Sequence, residues 1–299
     1  MFISGIADEA GLDITTQIGA QKELGLHYIE LRRAVCPSDG KPQSVCTMSD
    51  KDFEYVAGEI ERSGLIVSCI GSPIGDWSKS IRTNFVEECN LLRRTAKRMK
   101  ELGCDLVRVM SYTNCGKNPL PEPEWRIRSI TRMKGLLKIA HQYGITLGHE
   151  NCSGWGGVSS RNNADILHEI RDPQFVEIFD TGNPPSYGAD SWDWYMAVRP
   201  RIKHVHIKDA RMMRPGKEEE YTMPGEGDGS VEYIVRELLE LGYDGGFSIE
   251  PHLEAVIHRG DGNPDPEKLY QSYIAYGKAF AKLLKKCQGP APKNRGPDD

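Results

Sequence analysis

Four apolar segments in the second half of the chain each end in a carboxylate or an imidazole. The segments are 145–150, 175–180, 202–208 and 246–250, and the side chains at their ends are Glu150, Asp180, His206 and Glu250. Carboxylates and imidazoles are the groups with which enzymes move protons and bind divalent cations. Their recurrence at the ends of four successive segments predicts that they act at one site.

Three carboxylates that lie close together repel one another and do not all stay ionised without a positive partner. A divalent cation removes this repulsion, and three carboxylates with one imidazole suit Mn²⁺, Mg²⁺ or Co²⁺, with Zn²⁺ as a further option. Taken singly, each residue has a simpler explanation, such as a helix cap, an ion pair or a buried histidine. The four together favour one divalent metal ion, with Mn²⁺ preferred, held by Glu150, Asp180, His206 and Glu250.

Other polar side chains near these segment ends are candidates for substrate binding. His204 shares a strand face with His206, because side chains alternate along a strand, so one imidazole is expected to ligate and the other to lie deeper. Three basic residues are predicted to bind a phosphate or carboxylate or to stabilise an oxyanion, namely Arg108, Lys208 and Arg211. His149 and His252 are substrate-contact candidates as well, or rim residues without a chemical part.

The segments that carry these residues alternate with helical ones along the chain. Eight short apolar runs have the length of strands, and an amphipathic stretch follows each of them. The predicted strands are 2–7, 27–31, 65–70, 105–110, 145–150, 175–180, 202–208 and 246–250. The predicted helices are 13–24, 49–62, 82–102, 123–143, 163–170, 191–198, 231–241 and 267–286.

Eight strand–helix units predict an α/β fold of the closed (β/α)₈ type, the TIM barrel, in which helices cover a parallel sheet. The carboxyl ends of the strands converge on one mouth of such a barrel, which is where the four strand-end residues are expected to meet. A doubly wound open sheet is the alternative. That fold usually carries a glycine-rich phosphate loop after its first strand, and the segment Asp8–Gly11 does not have this pattern.

Length and composition narrow the class of protein further. The barrel uses almost all of the 299 residues, so we predict a single domain over 1–287 and a Pro/Gly-rich tail over 288–299. No apolar run approaches the roughly 20 residues of a membrane helix. The first residues have the pattern of a strand instead of a signal peptide, and the eight cysteines lack the spacing of zinc sites. A reduced, cytoplasmic protein without a membrane partner is therefore expected.

The charge balance bears on the type of partner. Lys and Arg number 38 and Asp and Glu 43, which gives a formal net charge of −5. A general nucleic-acid-binding protein normally carries a basic face, so we expect no nucleic-acid partner.

The second half of the chain resembles the sugar phosphate isomerase/epimerase family, the xylose isomerase-like TIM barrels. The residues that carry the resemblance lie in five segments, 148–151, 179–183, 204–209, 224–228 and 242–250. The first half matches the family only in its alternation of strands and helices. The resemblance implies a TIM barrel that acts on a small sugar or keto-sugar, and oligomers are common in the family.

The resemblance also assigns roles to residues. It implies metal ligands at Glu150, Asp180, His206 and Glu250, and in the family's epimerases the residues that match Glu150 and Glu250 move the substrate proton. Ketose epimerases and some inositol-pathway members have a histidine three residues after the aspartate, where this chain has Asn183. That position contacts substrate or metal, and the difference argues against a plain ketose 3-epimerase.

The segment 206–211 is closer to the inosose dehydratase-like branch of the family. In that branch the residues that match Lys208 and Arg211 line the site.

These features lead to a mechanistic hypothesis of proton abstraction next to a carbonyl. The cation polarises the substrate carbonyl, Glu150 or Glu250 removes the neighbouring proton to leave an enediolate, and the other carboxylate or His252 returns a proton. Proton return gives an epimerase or an isomerase of a sugar, a sugar phosphate or a keto-sugar, which is the preferred prediction. The alternative is a lyase that dehydrates an inosose or acts on a 3-oxo-sugar or 3-oxo-glycoside. Less favoured alternatives are an apurinic-site endonuclease and a non-catalytic sugar-binding barrel.

Overall fold

The computed structural model describes residues 1–254 and 265–289. Within these residues eight parallel strands form one sheet, and each overlaps a predicted strand. They are β1 (Phe2–Gly5), β2 (Tyr28–Leu31), β3 (Ile66–Gly71), β4 (Leu106–Ser111), β5 (Thr146–Gly154), β6 (Phe175–Asp180), β7 (Ile202–Ile207) and β8 (Gly246–Ile249).

The strands pair in chain order from β2 to β8, and β8 then pairs with β1. A parallel bridge between Ile6 and Glu30 joins the ends of β1 and β2 and closes the ring. The predicted (β/α)₈ TIM barrel is therefore confirmed, and the open doubly wound sheet is excluded.

The outer layer consists of the helices that connect these strands. In the described part of the chain the α-helices are Ile14–Glu23, Asp50–Ser63, Phe85–Leu102, Glu122–Tyr143, Ser160–Glu169, Asn183–Ser186, Ser191–Val198, Val231–Glu240 and Pro266–Gln288. Three of them end at glycines with left-handed backbone, Gly64, Gly103 and Gly144.

Two helices begin three residues away from the predicted start, and side-chain caps explain both differences. The Asn84 side chain accepts a hydrogen bond from the Val86 N–H at 3.1 Å, so this helix begins at Phe85 instead of Arg82. The Ser159 hydroxyl accepts one from the Asn162 N–H at 3.2 Å, so the other begins at Ser160 instead of residue 163. A capping side chain satisfies a backbone N–H that has no partner within the helix.

The inside of the barrel and the layer between strands and helices are packed separately. Inside the barrel there is a small buried cluster that consists of Cys69, Leu106 and Ile178. The main core is separate from it and includes the outward-facing Phe175 and Phe179 of β6. Because side chains alternate along β6, Ile178 and Asp180 share the inner face. Ile178 of the inner cluster thus lies two residues before Asp180, on the same face of the strand.

Three further observations concern the remaining predictions. An antiparallel hairpin that the sequence does not predict, Arg33–Val35 with Pro42–Ser44, follows β2. The predicted tail, 288–299, lies outside the described residues except for Gln288, which ends the last helix, and Gly289. The described residues contain no helix that is both long and apolar enough to span a membrane, and the eight cysteines among them are free.

Candidate functional site

The four side chains predicted as metal ligands lie together at the carboxyl end of the barrel. Each of Glu150, Asp180, His206 and Glu250 offers one donor atom, and these four atoms all lie within 4.8 Å of one another. None of the four residues is more than 2% exposed. The structure therefore brings together residues that are up to 100 positions apart in the chain.

The register of the strands accounts for this convergence. Asp180 of β6 pairs with His206 of β7, and His206 pairs with Ser248 of β8, two residues before Glu250. On the other side, Glu150 of β5 pairs with Ile178, two residues before Asp180. Residues two apart share a strand face, and for this reason the four side chains point into the same mouth.

His206 contacts two of the carboxylates through the same ring nitrogen and completes a donor set for a cation. Its Nδ1 lies 3.0 Å from Glu150 Oε1 and 3.6 Å from Glu250 Oε2. The second oxygen of Glu150, Oε2, is buried and has no hydrogen-bond partner. Buried polar atoms are rarely left without a partner, and carboxylate oxygens with one imidazole nitrogen are ligands that Mn²⁺, Mg²⁺ and Zn²⁺ accept. These residues fit a divalent cation.

Lys208 bridges two of the same carboxylates. Its Nζ lies 2.7 Å from Asp180 Oδ2 and 3.0 Å from Glu250 Oε2, and it donates a hydrogen bond to Asn183 Oδ1 at 3.2 Å. Burial lowers the pKa of Lys208, but Asp180 and Glu250 outweigh it and hold that pKa well above its ordinary value. Burial raises the pKa of Asp180 to about 6, although Lys208 opposes the change. The lysine is therefore a permanent cation in the site.

Both glutamates of the cluster are held in their ionised form. Burial raises the pKa of Glu150, but Arg108 and the hydrogen bond with His206 outweigh it, so the pKa lies below its ordinary value. Burial raises the pKa of Glu250 as well, but Lys208 and His252 lead a group of cations that holds it well below its ordinary value. An ionised carboxylate is able to accept a proton, so either glutamate is chemically suited to act as a base.

Residues from the first half of the chain complete the site, although no local pattern in the sequence singles them out. Arg32 donates hydrogen bonds from Nη1 to Glu250 Oε1 at 2.9 Å, from Nε to Asp8 at 3.1 Å and from Nη2 to Glu9 Oε1 at 3.1 Å. All four side chains are buried. Asp8 and Glu9 follow β1 and Arg32 follows β2, so only barrel closure brings them beside the end of β8.

Glu30 lies deeper in the barrel and links two histidines. Its Oε1 is 3.2 Å from His206 Nε2, and its Oε2 is 3.0 Å from His204 Nε2. Burial raises the pKa of Glu30, but the two histidines, His206 first, hold it well below its ordinary value. A carboxylate on one ring nitrogen orients the imidazole, and here it directs Nδ1 of His206 toward the cluster.

His252 lies beside Glu250, with Nε2 3.9 Å from Glu250 Oε1, and has an unusual backbone conformation. Its φ is 52°, in the left-handed region, and its backbone N–H donates to Glu9 Oε2 at 2.9 Å. Its ring Nδ1 lies 2.7 Å from Glu9 Oε1, and the ring contacts the Tyr221 ring edge to face at 5.1 Å between centres. Contacts to Glu9 and Tyr221 therefore fix the position of this imidazole.

Glu150 and Glu250 are the members of the four-residue cluster that line a cavity of about 230 Å³. The predicted substrate-binding residues Arg108, Asn183, Lys208 and His252 are in its wall. Aromatic side chains contribute to the same wall, namely Trp77, Tyr187 and Tyr221. The cavity wall therefore combines charged groups with aromatic surface.

The other three predicted substrate-binding residues do not line this cavity. His149 lies on the outward face of β5, where Asn163 contacts its Nδ1 at 3.3 Å, because it alternates with the inward-facing Glu150. His204 lies deeper in the barrel beside Glu30. Arg211 lies beyond the strand end and is exposed, with its backbone N–H bonded to the Glu220 carbonyl.

The model of the xylose isomerase-like TIM barrel family matches residues 18–279 of this chain. Among curated relatives, an inosose dehydratase of Lacticaseibacillus casei is 29% identical over 143 residues, which is 43% of this chain and 47% of that protein. An inosose dehydratase of Mesomycoplasma hyopneumoniae (strain 7448) is 28% identical over 227 residues, or 67% of this chain and 73% of that protein. The first of these matches thus spans about half the length of the relative.

Solved structures show the same fold at lower identity. A D-tagatose 3-epimerase-like protein superposes with a TM-score of 0.73 at 18% identity, covering 96% of this chain and 98% of that one. The IOLI protein, crystallised with a binding zinc atom, superposes with a TM-score of 0.71 at 15% identity, covering 97% of this chain and 100% of that one.

Proposed function

This chain belongs to the xylose isomerase-like TIM barrel family, and we propose that it is a divalent-metal-dependent enzyme that removes a proton next to the carbonyl of a keto-sugar. One observation carries the proposal. Glu150 and Glu250, two ionised carboxylates, flank Nδ1 of His206 at 3.0 and 3.6 Å in the wall of one cavity. A proton-transfer enzyme needs such a base within reach of the substrate.

The metal would be held by Glu150, Asp180, His206 and Glu250. When bound, a divalent cation draws electrons from the carbonyl of the substrate and makes the neighbouring C–H more acidic. Zinc in the IOLI protein supports a divalent ion in this fold. Mn²⁺ remains our preferred ion, with Mg²⁺, Co²⁺ and Zn²⁺ as alternatives.

The protein's own side chains supply the bases and the positive charge. Glu150 or Glu250 accepts the substrate proton, and both carboxylates are ionised because nearby cations keep the pKa of each below its ordinary value. Lys208 and Arg108, both buried in the cavity wall, stabilise the negative charge that then develops on the substrate oxygen. Asp180 holds Lys208 in position through its contact at 2.7 Å.

The fate of the proton decides the reaction. If the second carboxylate or His252 returns it to the opposite face of the same carbon, the result is epimerisation. If it returns to the former carbonyl carbon, the result is isomerisation. The presence of two ionised carboxylates in the wall of one cavity favours these outcomes, because one is able to take the proton and the other to supply one.

Elimination is the second candidate, and two observations favour it. The relatives at 28–29% identity are named inosose dehydratases. Asn183 stands in the cavity wall where ketose epimerases resembling this chain have a histidine. In elimination the hydroxyl on the carbon beyond the deprotonated one leaves as water after taking a proton from a side chain such as His252, and the product is an unsaturated ketone.

The test is turnover of a substrate panel in deuterated water, followed by NMR. The metal-loaded protein is incubated with ketohexoses, inososes and 3-oxo-glycosides, and recovered compounds are analysed for deuterium next to the carbonyl and for new products. We expect Glu150→Gln and Glu250→Gln to lose exchange, whereas the surface variant Glu124→Gln keeps it. Absence of exchange and product with every compound would refute the proposal and favour a non-catalytic sugar-binding barrel.

A further inference from the structure

His252, which follows β8, has a backbone conformation that residues with a side chain rarely adopt. Its φ of 52° lies in the left-handed region, where a Cβ crowds the backbone. Residues in such conformations persist only where the surrounding structure fixes them, and they cluster at functional sites. The imidazole of His252 lines the cavity. The conformation therefore points to a functional reason for the position of this ring.

Glu9 holds both the backbone and the ring of His252. The His252 N–H donates to Glu9 Oε2 at 2.9 Å, and Glu9 Oε1 lies 2.7 Å from His252 Nδ1. The two residues are 243 positions apart in the chain, so these contacts depend on the pairing of β8 with β1. The Glu9 side chain is buried and does not line the cavity. Its influence on the cavity thus passes through residues that it contacts.

The other ring nitrogen of His252 lies toward the proposed site. Nε2 is 3.9 Å from Glu250 Oε1, and Glu250 lines the same cavity. The ring of Tyr221, also in the cavity wall, contacts the imidazole edge to face at 5.1 Å between centres. The imidazole is therefore held with Nδ1 on Glu9 and Nε2 on the side where a substrate would lie.

This arrangement is suited to proton donation. A carboxylate on one imidazole nitrogen fixes the tautomer and stabilises the imidazolium, which is able to give a proton from its other nitrogen. The glutamates of the proposed metal site have cations as neighbours instead: Arg32 Nη1 lies 2.9 Å from Glu250 Oε1, and Arg108 Nη1 lies 3.4 Å from Glu150 Oε2. Such neighbours favour a carboxylate without its proton. Glu150 or Glu250 is thus better placed to take a proton, and His252 to give one.

The proposed function leaves the proton donor open between the second carboxylate and His252. We infer that Glu9 is a positioning residue that holds His252 as this donor, so that removal of the substrate proton and formation of product depend on different residues. The inference rests on the proposed function and gives Glu9 a part in it.

The step balances for both candidate reactions. In elimination the C–H electron pair forms the double bond, the bond from carbon to the leaving hydroxyl breaks with its electrons, and the oxygen takes a proton from His252 Nε2 and departs as water. In epimerisation His252 gives that proton to the carbon from which the glutamate took one. In either case one proton passed from the glutamate to His252 restores both side chains.

The first test separates loss of the substrate proton from formation of product. Metal-loaded wild-type protein, Glu9→Gln, His252→Gln and the surface control Glu124→Gln are incubated in deuterated water with a compound that the wild-type protein converts. NMR gives the rates of deuterium uptake next to the carbonyl and of product formation. We expect product to form about 100-fold more slowly in His252→Gln and at least about tenfold more slowly in Glu9→Gln, with deuterium uptake within about threefold of wild type in both. Unchanged product formation in Glu9→Gln would overturn the inference and leave the proposed function standing.

A second route for an effect of Glu9 is separated by two further measurements. Glu9 Oε1 also lies 3.1 Å from Arg32 Nη2, and Arg32 contacts Glu250. If Glu9 acted along this route, Glu9→Gln would lose Mn²⁺ affinity and deuterium uptake together with product, and the inference would be overturned. If Glu9 acts through His252, the double variant Glu9→Gln/His252→Gln is no slower than His252→Gln alone. A further loss of rate in the double variant would contradict this.

The last measurement needs no turnover. Nitrogen-15 NMR of the Mg²⁺-loaded protein shows which ring nitrogen of His252 carries a proton, and the signals are assigned by their absence from His252→Gln. We expect a proton on Nδ1 in the wild-type protein and a changed Nδ1 signal in Glu9→Gln. A wild-type ring without a proton on Nδ1 would overturn the inference, and this outcome is readable even if Glu9→Gln does not fold.

Discussion

Glu30 and His206 are joined beneath the cavity, with Glu30 Oε1 3.2 Å from His206 Nε2. Both side chains are fully buried. Because this contact engages one ring nitrogen, the other, Nδ1, faces Glu150 at 3.0 Å and is available to a cation. The glutamate thus orients an imidazole that belongs to the proposed metal site without itself lining the cavity.

Replacement of Glu30 by glutamine is expected to weaken metal binding. The variant keeps the size of the side chain but loses the charge that orients His206, and loss of such an outer contact typically weakens metal affinity by about 10- to 100-fold. Calorimetric titration with Mn²⁺ measures the change. Glu124→Gln, at a surface pair with Arg128, is the control. Equal affinity in Glu30→Gln and the wild-type protein would show that Glu30 does not position the ligand.

Asn151 is expected to stabilise the strand end that carries Asp180. Its Oδ1 accepts the Asp180 N–H at 2.6 Å, and its Nδ2 donates to the Asp180 carbonyl at 2.9 Å. Asn151→Ala leaves two buried backbone groups without partners and should lower the free energy of unfolding by about 3 kcal/mol. Urea denaturation measures this. Asn90→Ala, at an exposed site, should change it by less than about 0.5 kcal/mol, and an equally small effect of Asn151→Ala would contradict the expectation.

Stability should depend on pH through a surface pair far from the cavity. A hydrogen bond from Arg126 to Asp165, with Nη2 at 2.9 Å from Oδ1, lowers the pKa of Asp165 from its ordinary 3.8. A lowered folded-state pKa means that the pair stabilises the protein above pH 3.8 and that the effect disappears as the pH falls through the folded pKa.

The variant Asp165→Asn isolates this contribution. Its free energy of unfolding should lie below that of the wild-type protein by less than about 1 kcal/mol at neutral pH, because the pair is partly exposed. The difference should vanish in acid. Urea unfolding at a series of pH values measures both curves, and a difference that does not change with pH would argue against the ion pair as its source.

The sequence predicts those residues of the site that lie at the carboxyl ends of strands. Glu150, Asp180, His206 and Glu250 each close an apolar run, and parallel strands of a barrel bring such ends together. The alternation of side chains also implies that His149 faces away from the cavity when Glu150 faces into it, as the structure shows. That consequence was available from the sequence.

The sequence does not predict the site residues whose contacts depend on closure of the barrel. Arg32 reaches Glu250 and Asp8 only because β1 lies between β2 and β8, and no local pattern encodes that neighbourhood. Glu30 did carry a signal, since it is a charged residue inside a strand of apolar neighbours. Arg211 lies in an irregular loop, whose direction depends on contacts such as those of Asp209 and not on spacing along the chain.

Metal content tests the central proposal most directly, namely that the four strand-end side chains hold one divalent cation. Wild-type protein, Asp180→Asn, His206→Ala and the control Glu124→Gln are loaded with Mn²⁺, freed of excess ion and analysed by elemental mass spectrometry. We expect about one ion per chain in the wild-type protein and the control, and a clear loss in the two site variants. Full metal content in both Asp180→Asn and His206→Ala would contradict the proposed site.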